Sequence, residues 1–453
     1  MPISPLRFCT FVATVAYAQR IGTYEPEIHP KFPITSCAPG GASCTTLNTS
    51  LVMDAEWRWI HKDNTYTNCY SDGSWNTTIC PDGATCAENC ALDGALYQGV
   101  YGVTVKNRNL TLQWKTYFGF AQNVGSRLFV LDEGVEDRYK MWKLLNREIA
   151  FDVDVSELPC GMSGNLYLVG MDEDGGMERY KRNRAGARYG TGYCDANCSQ
   201  NLRFISGEAN VEDWQPNPID NLYAGKGKYG SCCPEVDIWE ANSVSNALTA
   251  HPCFAPNQSR CWGPACDAMC DVDGCDFNSY RLGNTSFYGP GKIIDTTKKF
   301  TVITQFLTHN DSDTGDLVAI RRKYIQNGVN FSETIGQIPS VDPFSGITDS
   351  FCRQQKAAFG EQDTFTKRGG IAAISTAMER GMVLVFAITE DQDRHMLWLD
   401  SNWPVDAKST APGVARGSCA TDSGDPQGLL HTQGRASFGN IVVAGIGRAE
   451  AAL

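Results

Sequence analysis

A chain of 453 residues with 51 Asp and Glu against 39 Lys and Arg carries a net charge of −12 and no basic block. That balance excludes nucleic acid and anionic membrane surfaces as partners and suits a neutral polymer. After the N-terminus no apolar run approaches the about eighteen residues of a membrane span, and no Ser/Thr/Pro-rich linker or repeat divides the chain, which predicts one domain over 19–453.

At the start, Arg7 precedes an apolar run from Phe8 to Ala16, and Ala16-Tyr17-Ala18 supplies small residues for cleavage before Gln19. Residues 1–18 therefore read as a signal peptide and the mature protein as secreted. Of the 19 cysteines, Cys9 leaves with the leader; the remaining even number fits a disulfide framework. Zinc is the competing reading, but close pairs such as Cys261/Cys266 lack histidines at finger spacing, so no metal and no cofactor are expected. Sequons such as Asn76, Asn109 and Asn257 fit a secreted glycoprotein, and a monomer is expected.

Strand-like runs recur at Leu128–Leu131, Ile149–Val155, Leu166–Met171, Phe300–Leu307, Met382–Ile388 and Ile441–Ile446, separated by Gly-, Asn- and Asp-rich loops. Helical patterns are short, the best being Ile371–Met378 before Gly381. This predicts an all-β fold of two packed antiparallel sheets. Two connections, 172–230 and 250–296, are far longer than hairpins, and such loops are usually functional.

Between them lies Glu235-Val-Asp-Ile-Trp-Glu240, three carboxylates interleaved with apolar residues. Glu235 and Asp237 share one face of a strand, but regular alternation sends Glu240 to the other. One extra residue restores it, so the pattern predicts a β-bulge around Ile238–Trp239. Two glutamates flanking an aspartate on one surface suit retaining glycoside hydrolysis, with one carboxyl attacking and one protonating. Asp237 then hydrogen-bonds Glu235 and tunes its charge. A solvated acidic strand or a metal site is the alternative from spacing alone.

The run Ser231-Cys-Cys-Pro-Glu-Val-Asp-Ile-Trp-Glu-Ala-Asn-Ser243, with His251-Pro252-Cys253 after it, resembles the catalytic segment of glycoside hydrolase family 7, the fungal cellobiohydrolases and endoglucanases. The resemblance implies Glu235 as nucleophile, Glu240 as acid/base, Asp237 and His251 as assistants, and cellulose or cello-oligosaccharides as substrate. It implies a concanavalin-like jelly-roll β-sandwich whose long, disulfide-stapled loops form a tunnel or cleft. By the same matching, Trp59 is an aromatic platform at the entrance and Trp398 a stack near the product end. Arg127, Tyr167 and Tyr193 line the glycosyl side, while Asp273, Asp276, Arg281 and Arg416 contact the leaving cellobiose. Taken alone these charges read as surface ion pairs, and most tryptophans as core.

Similarity also implies the bridges Cys37–Cys44, Cys69–Cys90, Cys80–Cys86, Cys160–Cys419, Cys194–Cys233, Cys198–Cys232, Cys253–Cys270, Cys261–Cys266 and Cys275–Cys352. A further bridge common in the family lacks both halves here, since Ala91 stands at one position and 19–31 holds no cysteine. Other departures concern the cleft. Thr389 replaces a usual Trp, Ser163 a usual Asn, Asp393 a usual Tyr, and only Asp267-Ala-Met269 separates Cys266 from Cys270. The long loop around Asn201–Trp214 and that of 409–424 are retained, as in cellobiohydrolases. The expectation is a reducing-end cellobiohydrolase with a partly opened roof and no cellulose-binding module; an open-cleft endoglucanase and a non-catalytic lectin are the alternatives.

Overall fold

The computed structural model describes residues 19–38, 43–217, 225–334, 338–343 and 346–453; the expected leader, 1–18, lies outside them. Two large sheets stack face to face. The first runs Val329–Ser332, Leu317–Gln326, Phe300–Thr308, Arg147–Asp154, Arg435–Gly445, Asn109–Gln113, Val103–Lys106. The second runs Val135–Tyr139, Ser126–Asp132, Met382–Thr389, Ser163–Val169, Glu235–Ala241, Asn246–His251, Cys275–Phe277.

The expectation of wholly antiparallel sheets needs one correction. Ile34–Cys37 lies parallel to Arg435–Gly445, pairing Thr35 with Val442 and Ser36 with Val443, so the first sheet is mixed. The two strands come from opposite ends of the chain, and no hairpin turn dictates their relative direction. On its other edge Ile34–Cys37 forms a hairpin with Cys44–Leu47.

The second sheet is covered on both faces. Leu166, Leu168, Val236, Leu384 and Phe386 face the first sheet, while Tyr167, Val169, Val383, Val385 and Ala387 pack under loops carrying Tyr193, Leu202 and Ile205. Burial on both sides explains why Met382–Ile388 reads as an unbroken apolar run. Ser163–Val169 begins earlier than its apolar run because Ser163 and Asn165 are polar, and Arg435–Gly445 likewise extends six residues ahead of Ile441.

The expected helix is Gly370–Arg380, closed at Gly381, whose φ of 100° favours glycine. A second helix, Asp349–Phe359, is not signalled by apolar spacing. Thr348 caps it by accepting from the Phe351 amide, and it buries Gln355 and Lys356 beside Phe351 and Cys352, so polar residues interrupt its inward face. Among the described residues no helix is long and apolar enough to cross a membrane.

All nine expected bridges are present. Where the family's further bridge is missing, strand pairing takes over: Arg20 and Ile21 lie beside Ala91 and Leu92, and Asp93 Oδ1 accepts from the amides of Tyr24 and Glu25 at 3.1 and 2.9 Å. The two long loops also join each other, since Tyr229–Cys232 pairs with Ser259–Trp262. They form a stapled layer over the second sheet, and the cleft lies in that layer.

Candidate active site

The bulge lies where the alternation of residues requires it. Against Ser163–Val169, Leu166 pairs with Trp239 and Tyr167 with Asp237, so Ile238 is skipped. Against Asn246–His251, Asp237 pairs with Thr249 and Glu240 with Ala247, so Ile238 and Trp239 together oppose Leu248. Both bulged side chains enter the inter-sheet core, fully buried. The strand can therefore turn Glu235, Asp237 and Glu240 to one face, where all three line a cavity of about 310 Å³.

A buried arginine from the opposite sheet braces this irregularity. Arg322 donates to the Ala247 carbonyl at 2.9 Å and to Asn246 Oδ1, with longer contacts to the carbonyls of Ile238 and Phe277. Three neighbouring strands thus share one guanidinium, itself neutralised by buried Glu333 at 2.7 and 2.9 Å.

Within the acidic cluster, Glu235 Oε2 accepts from the Ala196 amide at 2.9 Å, and Asp237 shares a side-chain hydrogen bond with Glu235. His251 Nε2 stands 3.0 Å from Asp237 Oδ2, and its Nδ1 is 2.8 Å from the Asp271 carbonyl. A carbonyl only accepts, so Nδ1 carries a hydrogen and Nε2 is turned to Asp237. His251 also lines the carboxylate cavity, but its direct polar contact is with Asp237. Gly274, at φ 63°, permits this packing: a Cβ there would stand 2.5 Å from the imidazole.

Burial and the charges of Asp237 and Asp195 push Glu235 well above the usual carboxylate range. Burial and Asp237 do the same to Glu240, and burial and Asp195 raise Asp237 to about 8. Asp195 is a fourth buried acid, itself raised by burial and held by the Ser199 amide and hydroxyl. Sequence reasoning missed it, because it sits forty residues before Glu235 in the chain (235 − 195) and reaches the cluster through Cys194–Cys233.

On one side of the carboxylates, the expected Asp276, Arg281 and Arg416 come together with Asp273 and Trp398 around one cavity. Arg281 bridges Asp276 and Glu361; Arg416 approaches Glu361 at 3.5 Å, and Lys356 Nζ lies 3.1 Å from its other oxygen. Burial raises Asp276, but Arg281, Arg416 and Lys356 outweigh it and hold the carboxylate below its usual range. Burial and the like charge of Arg281 lower Arg416 to about 10. Trp398 Nε1 donates to Asp391 at 2.8 Å, which fixes the ring. Glu361 and Lys356, from the unsignalled helix and its end, are further residues that sequence reasoning missed.

At the other end, Arg127 donates from Nε to Asp54 at 2.7 Å and lies over the Tyr193 ring at 3.3 Å. The hydroxyls of Tyr193 and Tyr167 are 3.0 Å apart. All three border a cavity of about 480 Å³ shared with Glu235, Asp237 and Glu240. Thr389 and Ser163 form one unit: Ser163 pairs with Thr389 across the strands, and Asn165 bonds both side chains. Trp59 stands apart from these cavities, half-buried among rings, with centroids 4.2 Å from His61 and 6.0 Å from Tyr24 and from Tyr66.

The roof is not wholly open. Asp393 meets Lys226 at 2.6 Å, and Asn217 donates to Gln392, so the loop at 390–396 touches the long loop opposite. Asp393, where the resemblance implied a Tyr, thus makes an exposed ion pair, and such pairs contribute about 0–1 kcal/mol.

With this geometry in place, the comparisons are consistent. The family model of Glycosyl hydrolase family 7 matches residues 21–449. A family 7 cellobiohydrolase from Daphnia pulex is 45% identical with a TM-score of 0.91, covering 94% of this chain and 99% of that one. A cellobiohydrolase from Melanocarpus albomyces, solved with cellotetraose, is 40% identical with a TM-score of 0.87 over 94% and 99%. An endocellulase from Humicola insolens is 31% identical with a TM-score of 0.79 over 95% and 100%. A bulged acidic strand, a loop layer stapled by disulfides and a match over nearly the whole length make this chain a member of glycosyl hydrolase family 7.

Proposed function

We propose that this enzyme is a secreted cellulase that cleaves β-1,4-glucosidic bonds with retention of configuration and releases cellobiose from reducing ends. The observation that carries the reading is the Ile238–Trp239 bulge, which lets Glu235 and Glu240 share one cavity with Asp237 between them. Glu235 attacks the anomeric carbon as Glu240 gives its proton to the leaving oxygen. Water, deprotonated by Glu240, then cleaves the glycosyl ester at Glu235.

The electrostatics fit this division. A raised Glu240 keeps its proton until a leaving group needs it. Glu235 must be ionised to attack; the Ala196 amide, donating to Oε2, stabilises that charge, and Asp237 holds the carboxylate in place through their shared hydrogen bond. Asp237 is in turn oriented by His251. Beyond the cleavage point, Arg281, Arg416, Asp273, Asp276 and Trp398 offer ionic hydrogen bonds and a ring to the departing disaccharide.

The exo reading is supported by the retained loop at Asn201–Trp214 and by the Lys226–Asp393 contact over the cleft. An endoglucanase is the second reading, favoured by the short Asp267–Met269 connection, which lies in the tight turn Gly263–Ala268 and its end. The ratio of soluble to insoluble reducing ends released from cellulose separates them. Mostly soluble ends support the exo reading; a ratio near one rejects it.

A further inference from the structure

The hairpin of Lys115–Phe118 and Ala121–Val124 carries an unusual tip. Phe118 pairs with Ala121, so Gly119 and Phe120 form a two-residue turn, with Gly119 at φ 58° in the first turn position, where a primed hairpin turn needs glycine. The turn directs rings outward: Phe120 is 113% exposed, Tyr117 64% and Phe118 36%. A two-stranded ribbon alone is marginal in water. This one is anchored at its base, where Trp57 Nε1 donates to the Val124 carbonyl at 3.1 Å and the Gly125 amide to the Trp114 carbonyl at 2.7 Å.

The ribbon also adjoins the cleft. Tyr117 stands opposite Gln122 on the same face of the ribbon, and Gln122 lines a cavity of about 290 Å³. Arg127 and Thr389 belong both to that cavity and to the one holding the three carboxylates. From 116 to 124 the ribbon has no charged residue, in a chain of net charge −12. A neutral, ring-bearing tip suits a neutral polymer whose pyranose CH faces stack on flat rings, whereas the overall charge opposes an anionic lipid surface or a second copy.

We propose that the Tyr117–Phe120 tip is a docking surface for a β-1,4-glucan chain, receiving it beyond the Arg127 end of the cleft. This rests on the function proposed above. A chain on an insoluble substrate meets the tip before it reaches Arg127, so the tip contributes to capture from solids more than to turnover of short glycosides.

The test uses the full-length enzyme in a Glu235→Gln background, which binds without cutting. The Tyr117→Ser/Phe120→Ser variant is expected to partition onto amorphous cellulose about five- to tenfold less than its parent, and Phe120→Tyr, which keeps a ring, to match it. With Glu235 intact, the double variant should lose at least about fivefold more activity on insoluble cellulose than on an aryl cellobioside. Partition within about twofold of the parent, or equal losses on both substrates, overturns the proposal. So does sedimentation showing a dimer that the double variant abolishes, or binding of the parent to phosphatidylserine vesicles. If the intact enzyme does not cut the aryl cellobioside, the functional reading itself fails, while partition still judges the tip.

Discussion

Two clusters of buried acids lie along one cleft, and burial has opposite outcomes in them. Among the described residues, Glu235, Asp237 and Glu240 have only His251 as a basic neighbour acting on them, Asp195 has only Arg127, and all four are raised. Asp276, equally enclosed, faces Arg281, Arg416 and Lys356 and is lowered. The number of cations, not the depth of burial, decides whether a carboxyl holds a proton or a charge. The first cluster is thus suited to moving protons, and the second to gripping hydroxyls with fixed charges.

The largest test of that contrast is Glu235→Gln, which removes the carboxylate proposed to attack. Activity on every glycoside should fall beyond the about 10⁴-fold upper range of acid–base catalysis, as measured by aryl cellobioside hydrolysis. Glu240→Gln should be selective. It is expected to lose about 10²–10⁴-fold on cello-oligosaccharides, yet to keep much of its glycosylation rate on glycosides with very acidic leaving groups. Equal loss by both variants on both substrates contradicts the role assignment.

In the Asp276 cluster, Arg281→Met leaves Asp276 and Glu361 without their bridging cation. Removing one partner of a buried pair costs about 3–5 kcal/mol, so a clear fall in denaturation midpoint is expected, with weaker inhibition by cellobiose. An unchanged midpoint would mean that Arg416 and Lys356 suffice.

The clusters should also pull stability in opposite directions with pH. For the first, folded values lie above unfolded ones, so the folded state binds more protons and stability falls as pH rises from about 4 through the about 8 of Asp237. Asp276 behaves oppositely: its stabilisation is complete above the unfolded value and is lost as pH falls through its lowered folded one. Thermal melts should therefore give a lower midpoint at pH 8 than at pH 5, and Asp237→Asn should flatten that slope. The smallest effect is expected at the roof. Lys226→Ala should raise activity on soluble substituted cellulose by no more than about fivefold, with high salt mimicking it in the parent.

Much of the first cluster was legible in the sequence, because a strand's period of two makes Glu235, Asp237 and Glu240 incompatible without a bulge, and spacing alone locates it. The Asp276 cluster was legible only through resemblance. Asp276, Arg281 and Arg416 stood out that way, but Lys356 and Glu361 come from a helix and its end, where Gln355 and Lys356 interrupt the buried apolar face of Phe351 and Cys352. Asp195 was invisible for another reason: it reaches Glu235 through loop conformation and a disulfide. Asp393 read as a lost contact, and its ion pair with Lys226 depends on which loops face each other. The parallel approach of Ile34–Cys37 to Arg435–Gly445 likewise depends on packing between chain ends, on which local pattern is silent.

The central claim is that the bulge makes Glu235 a nucleophile rather than a base acting through water. Proton NMR of cello-oligosaccharide hydrolysis, recorded before mutarotation, reads this directly from the anomeric signal of the first-formed product. The account predicts the β-anomer, released by two successive displacements at one carbon. A first-formed α-anomer would contradict it.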